Sequence, residues 1–104
     1  MSTQLKKGVL ELCVLDILLN VDSYGYDIYQ NINSNMVISE STIYPILRKM
    51  VKEGFCETYL KESNEGPPRK YFKITAVGKS KLDQLRTGWI DFYETVNKMI
   101  GSVE

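Results

Sequence analysis

The sequence predicts an α+β fold, and three observations carry that prediction. Three apolar stretches of helical period precede Gly54, and two runs rich in aromatic and β-branched residues with period-two alternation, "FCETYLKE" and "RKYFKIT", come next. A seven-residue apolar repeat closes the chain. The expected order is therefore three helices, a two-stranded hairpin and one long terminal helix. Residues 1–76 make up the first unit and residues 77–104 the appended helix. At 104 residues the chain buries only a modest core by itself, which favours assembly with a second copy.

The first stretch, "LKKGVLELCVLDILLNV", is apolar nearly all round, broken only by Glu11, Asp16 and Asn20. Such a helix is buried on more than one side, and a second subunit is the simplest source of the missing cover. The next, "DSYGYDIYQNINSN", offers Asp22 or Ser23 as N-cap, an amphipathic run through Tyr26, Ile28, Tyr29 and Ile32, and an Asn/Ser-rich exit. The third, "SESTIYPILRKMVKEG", carries Ile43, Leu47, Met50 and Val51 and stops at Gly54, a residue suited to a left-handed C-terminal position. Pro45 is its anomaly. In a helix begun at Ser39 it would remove a second-turn donor and clash with the preceding carbonyl. A helix starting near Thr42, capped by Ser41 or Thr42, moves the proline to the third or fourth position, where the N–H is hardly used.

In the hairpin the tip is "SNEGPP", and Pro67 and Pro68 are expected to keep it out of the ladder. The last helix opens at Thr75, its cap, and runs to about Ile100. Along it Leu82, Leu85, Trp89, Phe92, Val96, Met99 and Val103 are spaced 3, 4, 3, 4, 3, 4, a heptad seam. Packing on the chain's own domain would also account for the stripe. With little sequence left to cover it, a partner helix accounts for it better, so Leu82, Leu85, Trp89, Phe92, Val96 and Met99 are assigned to homodimerisation.

Net charge is zero, but its distribution is uneven. Residues 48–81 hold nine basic against four acidic side chains, a local charge of +5, and the remainder is −5. A basic middle between acidic ends suggests a polyanion footprint. Cys13 and Cys56 lack CxxC spacing and read as reduced, buried thiols. The chain has no histidine, which removes His-based zinc sites, Ser-His-Asp triads and Cys-His dyads. With no glycine-rich phosphate loop and no clustered carboxylates either, an enzyme is not expected, nor a metal or cofactor. Residues 9–19 are apolar but interrupted by charge and too short to span a bilayer, so a cytoplasmic protein without a membrane partner is expected.

Three helices, the third basic, followed by a hairpin with a polar tip, is the order of a winged helix-turn-helix, here extended by a C-terminal dimerisation helix. Such a third helix enters the major groove of double-stranded DNA with its N-terminal residues leading, while the hairpin tip reaches the adjacent backbone or minor groove. Hydroxyls and free N–H groups at a helix N-terminus bind phosphate oxygens or base edges. Ser39, Ser41, Thr42 and Tyr44 are therefore DNA-binding candidates, with Arg48 one turn beyond and Lys49 and Lys52 beside it. Tyr44 fits equally well beneath the hairpin. On the wing the candidates are Lys61, Arg69 and Lys70, although Glu62 and Glu65 would repel DNA unless they point away.

Taken together, "STIYPILRKMVKEGF", "GPPRKYFKIT" with "AVGKSKL", and "YGYDIYQNI" resemble the PadR family of bacterial transcriptional regulators over nearly the whole chain. The single terminal helix resembles the family's smaller branch. The resemblance implies a homodimer, paired through its first and last helices, that binds operator DNA and usually represses. In one multidrug-binding branch a tryptophan of the last helix lines a pore at the dimer centre. By that resemblance a ligand-binding role falls to Trp89, with Phe92, Tyr93, Leu12 and Gly8 as neighbours and a small planar apolar effector as ligand. A heptad position explains Trp89 without any ligand. The competing class is a winged-helix module that meets an acidic protein partner and binds no specific DNA.

Overall fold

The computed structural model describes residues 3–101, with side chains from Val9 onward. Helix α1 spans Thr3–Asn20, strand β1 Ser23–Tyr24, helix α2 Gly25–Asn33, helix α3 Glu40–Lys52, strand β2 Cys56–Ser63, strand β3 Gly66–Ile74 and helix α4 Ala76–Ile100. The α+β order expected from the sequence is present, with one strand more than foreseen. α1 lies at the centre, in contact with α2, α3, α4 and β3. Its Leu10, Val14, Leu15 and Leu18 are buried with Ile28 and Ile32 of α2, Ile43, Ile46, Leu47 and Met50 of α3, Phe72 and Ile74 of β3, and Leu82 of α4. Hydrophobic periodicity foretold this core well, except that Ile46 rather than Val51 completes the α3 stripe and Val51 is exposed.

Neither Asp22 nor Ser23 caps α2. Ser23 and Tyr24 instead pair antiparallel with Phe72 and Tyr71 of β3, giving a three-stranded sheet in the order β1-β3-β2. The polar groups are engaged elsewhere: the Asp22 carboxylate accepts the Tyr59 hydroxyl at 2.7 Å, and the Ser23 hydroxyl turns back to the Val21 carbonyl at 3.1 Å. Tyr24, extended and without a side-chain cap bond, holds the N-cap position.

The start of α3 also departs from the sequence reading. Ser39 is the N-cap and Glu40 the first helical residue, so Pro45 stands six residues in, in the second turn. The Ser41 carbonyl consequently lacks its usual partner four residues on. Ser41 and Pro45 are both exposed, which leaves that carbonyl open to water and keeps the cost low. The C-terminal end follows expectation: Gly54 adopts φ +79°, and the Phe55 N–H closes the turn on the Met50 carbonyl at 2.9 Å.

In the hairpin the tip shortens to Asn64 and Glu65, because Ser63 pairs with Gly66. Pro67 and Pro68 lie within β3, not outside it. The register shifts between Lys61 and Ser63, setting the two prolines against Glu62 as a bulge, one of the few places a strand accepts residues without an N–H. α4 begins where expected, with the Thr75 hydroxyl accepting the Gly78 N–H at 3.0 Å. Its first turns join the core through Leu82, while its C-terminal half projects and extends the molecule to 52 Å.

Candidate nucleic-acid interface

One face of α3 is spoken for by the core, and the opposite stripe, Ser41, Pro45, Arg48 and Lys52, is exposed throughout. Spacing of 4, 3 and 4 residues sets these four side chains along a single line of the helix. At its N-terminal end the three predicted hydroxyls cluster: Ser39 Oγ lies 2.8 Å from Ser41 Oγ and 3.2 Å from Thr42 Oγ1. None of them caps a backbone N–H through its side chain, because the Thr42 N–H goes to the Ser39 carbonyl at 3.0 Å. Donors and acceptors at this end are thus held together and open to an incoming anion. Among the described residues Arg48 and Lys52 form no ion pair.

Two of the predicted α3 residues are engaged within the fold. The Lys49 ammonium is paired with Glu11 of α1 at 2.7 Å, and that hydrogen bond raises its pKa above the ordinary lysine value. Tyr44 is half-buried and packs on α2, not under the hairpin. A β-carbon on Gly25 would stand 2.8 Å from the Tyr44 ring, so the glycine makes room for it. Burial, and then the Glu40 carboxylate 3.4 Å away, raise the pKa of the Tyr44 phenol. Tyr44 therefore borders the exposed stripe and supports it.

The wing separates its three cations. Lys61 and Arg69 stand directly opposite each other on β2 and β3, on the outer face of the sheet. Strand alternation sends Lys70 to the other face, where its ammonium lies 5.8 Å from the Phe72 ring. On the outer face the side chains form a layer that sequence inspection missed. Tyr24, Tyr71 and Tyr59 are paired across β1, β3 and β2, with ring centroids 5.8 Å apart at both steps. The Arg69 guanidinium sits over Tyr24 at 4.6 Å and the Lys61 ammonium over Tyr71 at 5.0 Å. The Tyr59 hydroxyl of β2 reaches back to the Asp22 carboxylate beside β1, a bond that raises the Tyr59 pKa. The available signal was the period-two placement of Tyr59 with Lys61 and of Arg69 with Tyr71.

Away from α3 and the wing, a groove of about 500 Å³ opens between α1, the end of α2 and α4. Leu12, Ile17, Ile32, Met36, Trp89 and Ile90 form its apolar walls, and the Arg86–Asp16 ion pair lies at its edge. Leu12 and Trp89, both predicted as ligand residues, meet here. Tyr93 stacks on Trp89 at 5.8 Å but does not line the groove, Phe92 points to solvent, and the surroundings of Gly8 lie outside the described residues. Cys13 also lines it, with a thiol that burial and then Asp16 push above its ordinary pKa. Cys56 is buried and raised to about 11, so both free thiols are protonated at neutral pH.

The heptad seam divides in two. Leu82 is buried and Leu85 half-buried within their own chain, so Leu82 is not open to a partner. Beyond them Trp89, Phe92 and Met99 are exposed, joined by Ile90, Tyr93 and Ile100, which the seam did not include. Val96 is half-buried, and Val103 lies outside the described residues.

The comparisons with known proteins converge on one family. The family described as transcriptional regulator PadR-like matches residues 14–84. A protein of Lysinibacillus sphaericus is 31% identical over 102 residues, covering 94% of each chain. Among solved structures, a PadR-like transcriptional regulator from Bacillus cereus superposes with a TM-score of 0.85 at 39% identity, covering 94% of this chain and 97% of the other. A Streptococcus transcriptional regulator does so with a TM-score of 0.84 at 35% identity, covering 94% and 98%. With the family match spanning residues 14–84 and these structures superposing over nearly the whole chain, the chain belongs to the PadR-like family of transcriptional regulators.

Proposed function

We propose that the protein acts as a homodimer on a palindromic operator and represses transcription there. The observation that carries this reading is the stripe of α3, led by three clustered hydroxyls and followed by Arg48 and Lys52, which no acidic side chain among the described residues neutralises. The exposed apolar half of α4 supports pairing with a second copy. A two-fold axis would set two α3 helices roughly 34 Å apart, one turn of duplex, and so demand an inverted repeat. In this reading Ser39, Ser41, Thr42 and Arg48 meet the major groove, Tyr44 backs them, and Lys52, Lys61, Arg69 and Lys70 neutralise phosphate. Lys49, already paired with Glu11, contributes least.

A salt-titrated mobility shift against duplex DNA carrying the chain's own upstream region tests it. Wild-type protein is expected to retain a selective complex at physiological salt, and Arg48→Ala to weaken that complex about 10- to 100-fold while leaving non-specific binding almost intact. Binding that disappears at moderate salt without sequence preference would instead favour a protein-interaction module.

Release of DNA by a planar apolar effector completes the reading. It rests on the stacked Trp89–Tyr93 pair, which two-fold symmetry would bring opposite its copy, where a flat molecule gains stacking on both sides. With anilinonaphthalene sulfonate as probe, Trp89→Ala is expected to abolish probe-induced release, measured on wild-type and variant complexes brought to the same fractional saturation of DNA. Release that persists in this variant would place the effector elsewhere and leave Trp89 as interface filling.

A further inference from the structure

The outer face of the sheet carries a continuous layer of paired tyrosine rings with two cations over it. Arg69 shares the hairpin tip with Glu62 and Glu65, and the three border one shallow recess, yet neither carboxylate forms an ion pair with it. Its guanidinium lies instead over Tyr24, a residue of β1 that is also the N-cap of α2. Tyr24 is braced by Tyr71, Tyr71 by Tyr59, and Tyr59 by the Asp22 carboxylate. These packed side chains thus run from the body of the helix-turn-helix to the cation at the wing tip.

Stacking constrains a guanidinium in a particular way. The ring face attracts the cation lying over it, at 4.6 Å for Arg69 on Tyr24, without consuming its N–H donors, which stay free for an acceptor. An ion pair with Glu62 or Glu65 would consume those donors. Lys61, opposite Arg69 and held over Tyr71, is constrained by the same layer through its charge alone.

We propose that Tyr24 is a positioning residue for DNA binding: its ring, braced by Tyr71, holds the Arg69 guanidinium so that its N–H edge meets a duplex phosphate. This rests on the DNA-binding reading above and adds to it a route by which the sheet ties the wing to α2. The phenolic oxygen of Tyr24 is not required, whereas the ring is.

Binding to a mixed-sequence duplex of about three helical turns, followed by fluorescence anisotropy across a salt series, tests the proposal. Tyr24→Phe is expected to match wild type. Tyr24→Leu is expected to bind about 3- to 10-fold more weakly and to flatten the slope of log affinity against log salt by up to about 0.9 for each phosphate that is no longer neutralised, two per dimer. Arg69→Ala should show the same change, and Tyr24→Leu should add nothing on that background. Arg69→Lys covers the case in which Tyr24→Leu folds poorly: it keeps the charge without the planar fork, and is expected to fall between wild type and Arg69→Ala. A Tyr24→Leu variant with unaltered affinity and slope, a full additional weakening on the Arg69→Ala background, or an Arg69→Lys variant equal to wild type each overturns the positioning role alone. Failure of the wild-type protein to bind any duplex at low salt overturns the DNA reading and this one together.

Discussion

Gly78→Ala is expected to destabilise the protein by about 3 kcal/mol or more, a large part of what a domain this size possesses. Gly78 is the third residue of α4, buried where that helix starts against the turn between α3 and β2. A β-carbon there would lie 1.9 Å from the Phe55 carbonyl oxygen, 2.9 Å from its carbon and 2.8 Å from Ile74 Cγ1. Backbone atoms cannot rotate aside as a side chain can. The junction has no slack either, since the Thr75 N–H donates to the same Phe55 carbonyl at 3.1 Å, the Thr75 hydroxyl to the Gly54 carbonyl at 2.6 Å, and the Gly78 N–H to Thr75 Oγ1 at 3.0 Å. Moving α4 outward enough to accept a methyl group would break this set and open Leu82 to water. Gly88→Ala is the control, because no atom lies within 4 Å of a β-carbon at Gly88 and alanine has the higher helix propensity. Urea denaturation followed by circular dichroism should show a midpoint far below wild type for Gly78→Ala and one equal or higher for Gly88→Ala. Equal midpoints for Gly78→Ala and wild type would mean that the junction yields.

How far the sequence disclosed this architecture depended on how local each cause was. The apolar period of α1, the glycine stop at Gly54 and the Thr75 cap are set by residues within a few positions of each other, and all appear in the structure. Strand β1 does not announce itself, because two residues form it only when β3, nearly fifty positions later, is beside them. Pro45 points to a late helix start only if a missing donor must be avoided. On an exposed stripe water replaces it, and α3 starts two residues earlier, at Glu40. Pro67 and Pro68 entered the ladder for a related reason, since a bulge removes the need for their N–H groups. At the site, the hydroxyls and Arg48 were legible from their spacing on one helix. The engagement of Lys49 by Glu11, 38 residues away, and the tyrosine layer beneath Arg69 were not, because both follow from elements meeting in space.

Phe92→Glu is expected to convert a dimer into a folded monomer and to cost about 100-fold or more in operator affinity. Phe92 sits on the projecting half of α4 with 63% of its surface exposed, outside the buried core of its own chain. A carboxylate at that position is solvated in the isolated chain, so its unfolding free energy should change by no more than about 0.5 kcal/mol. In a symmetric pair the substitution enters twice. Each copy would then take an uncompensated charge into an apolar interface formed with residues such as Met99 and Ile100, at several kcal/mol per charge. That exceeds what an interface of two helix ends can supply. A monomer keeps its α3 stripe and its wing intact but engages one half-site at a time, without the high effective concentration that binding at the first gives the second. Sedimentation equilibrium should therefore give twice the chain mass for wild type and one chain mass for Phe92→Glu, with the variant still cooperative in urea. Footprinting should show both half-sites protected by the former, and only weak, independent protection of each by the latter. A wild-type protein that sediments as one chain, or a variant that remains dimeric with full operator affinity, would remove the two-fold arrangement and with it the reason for a palindrome.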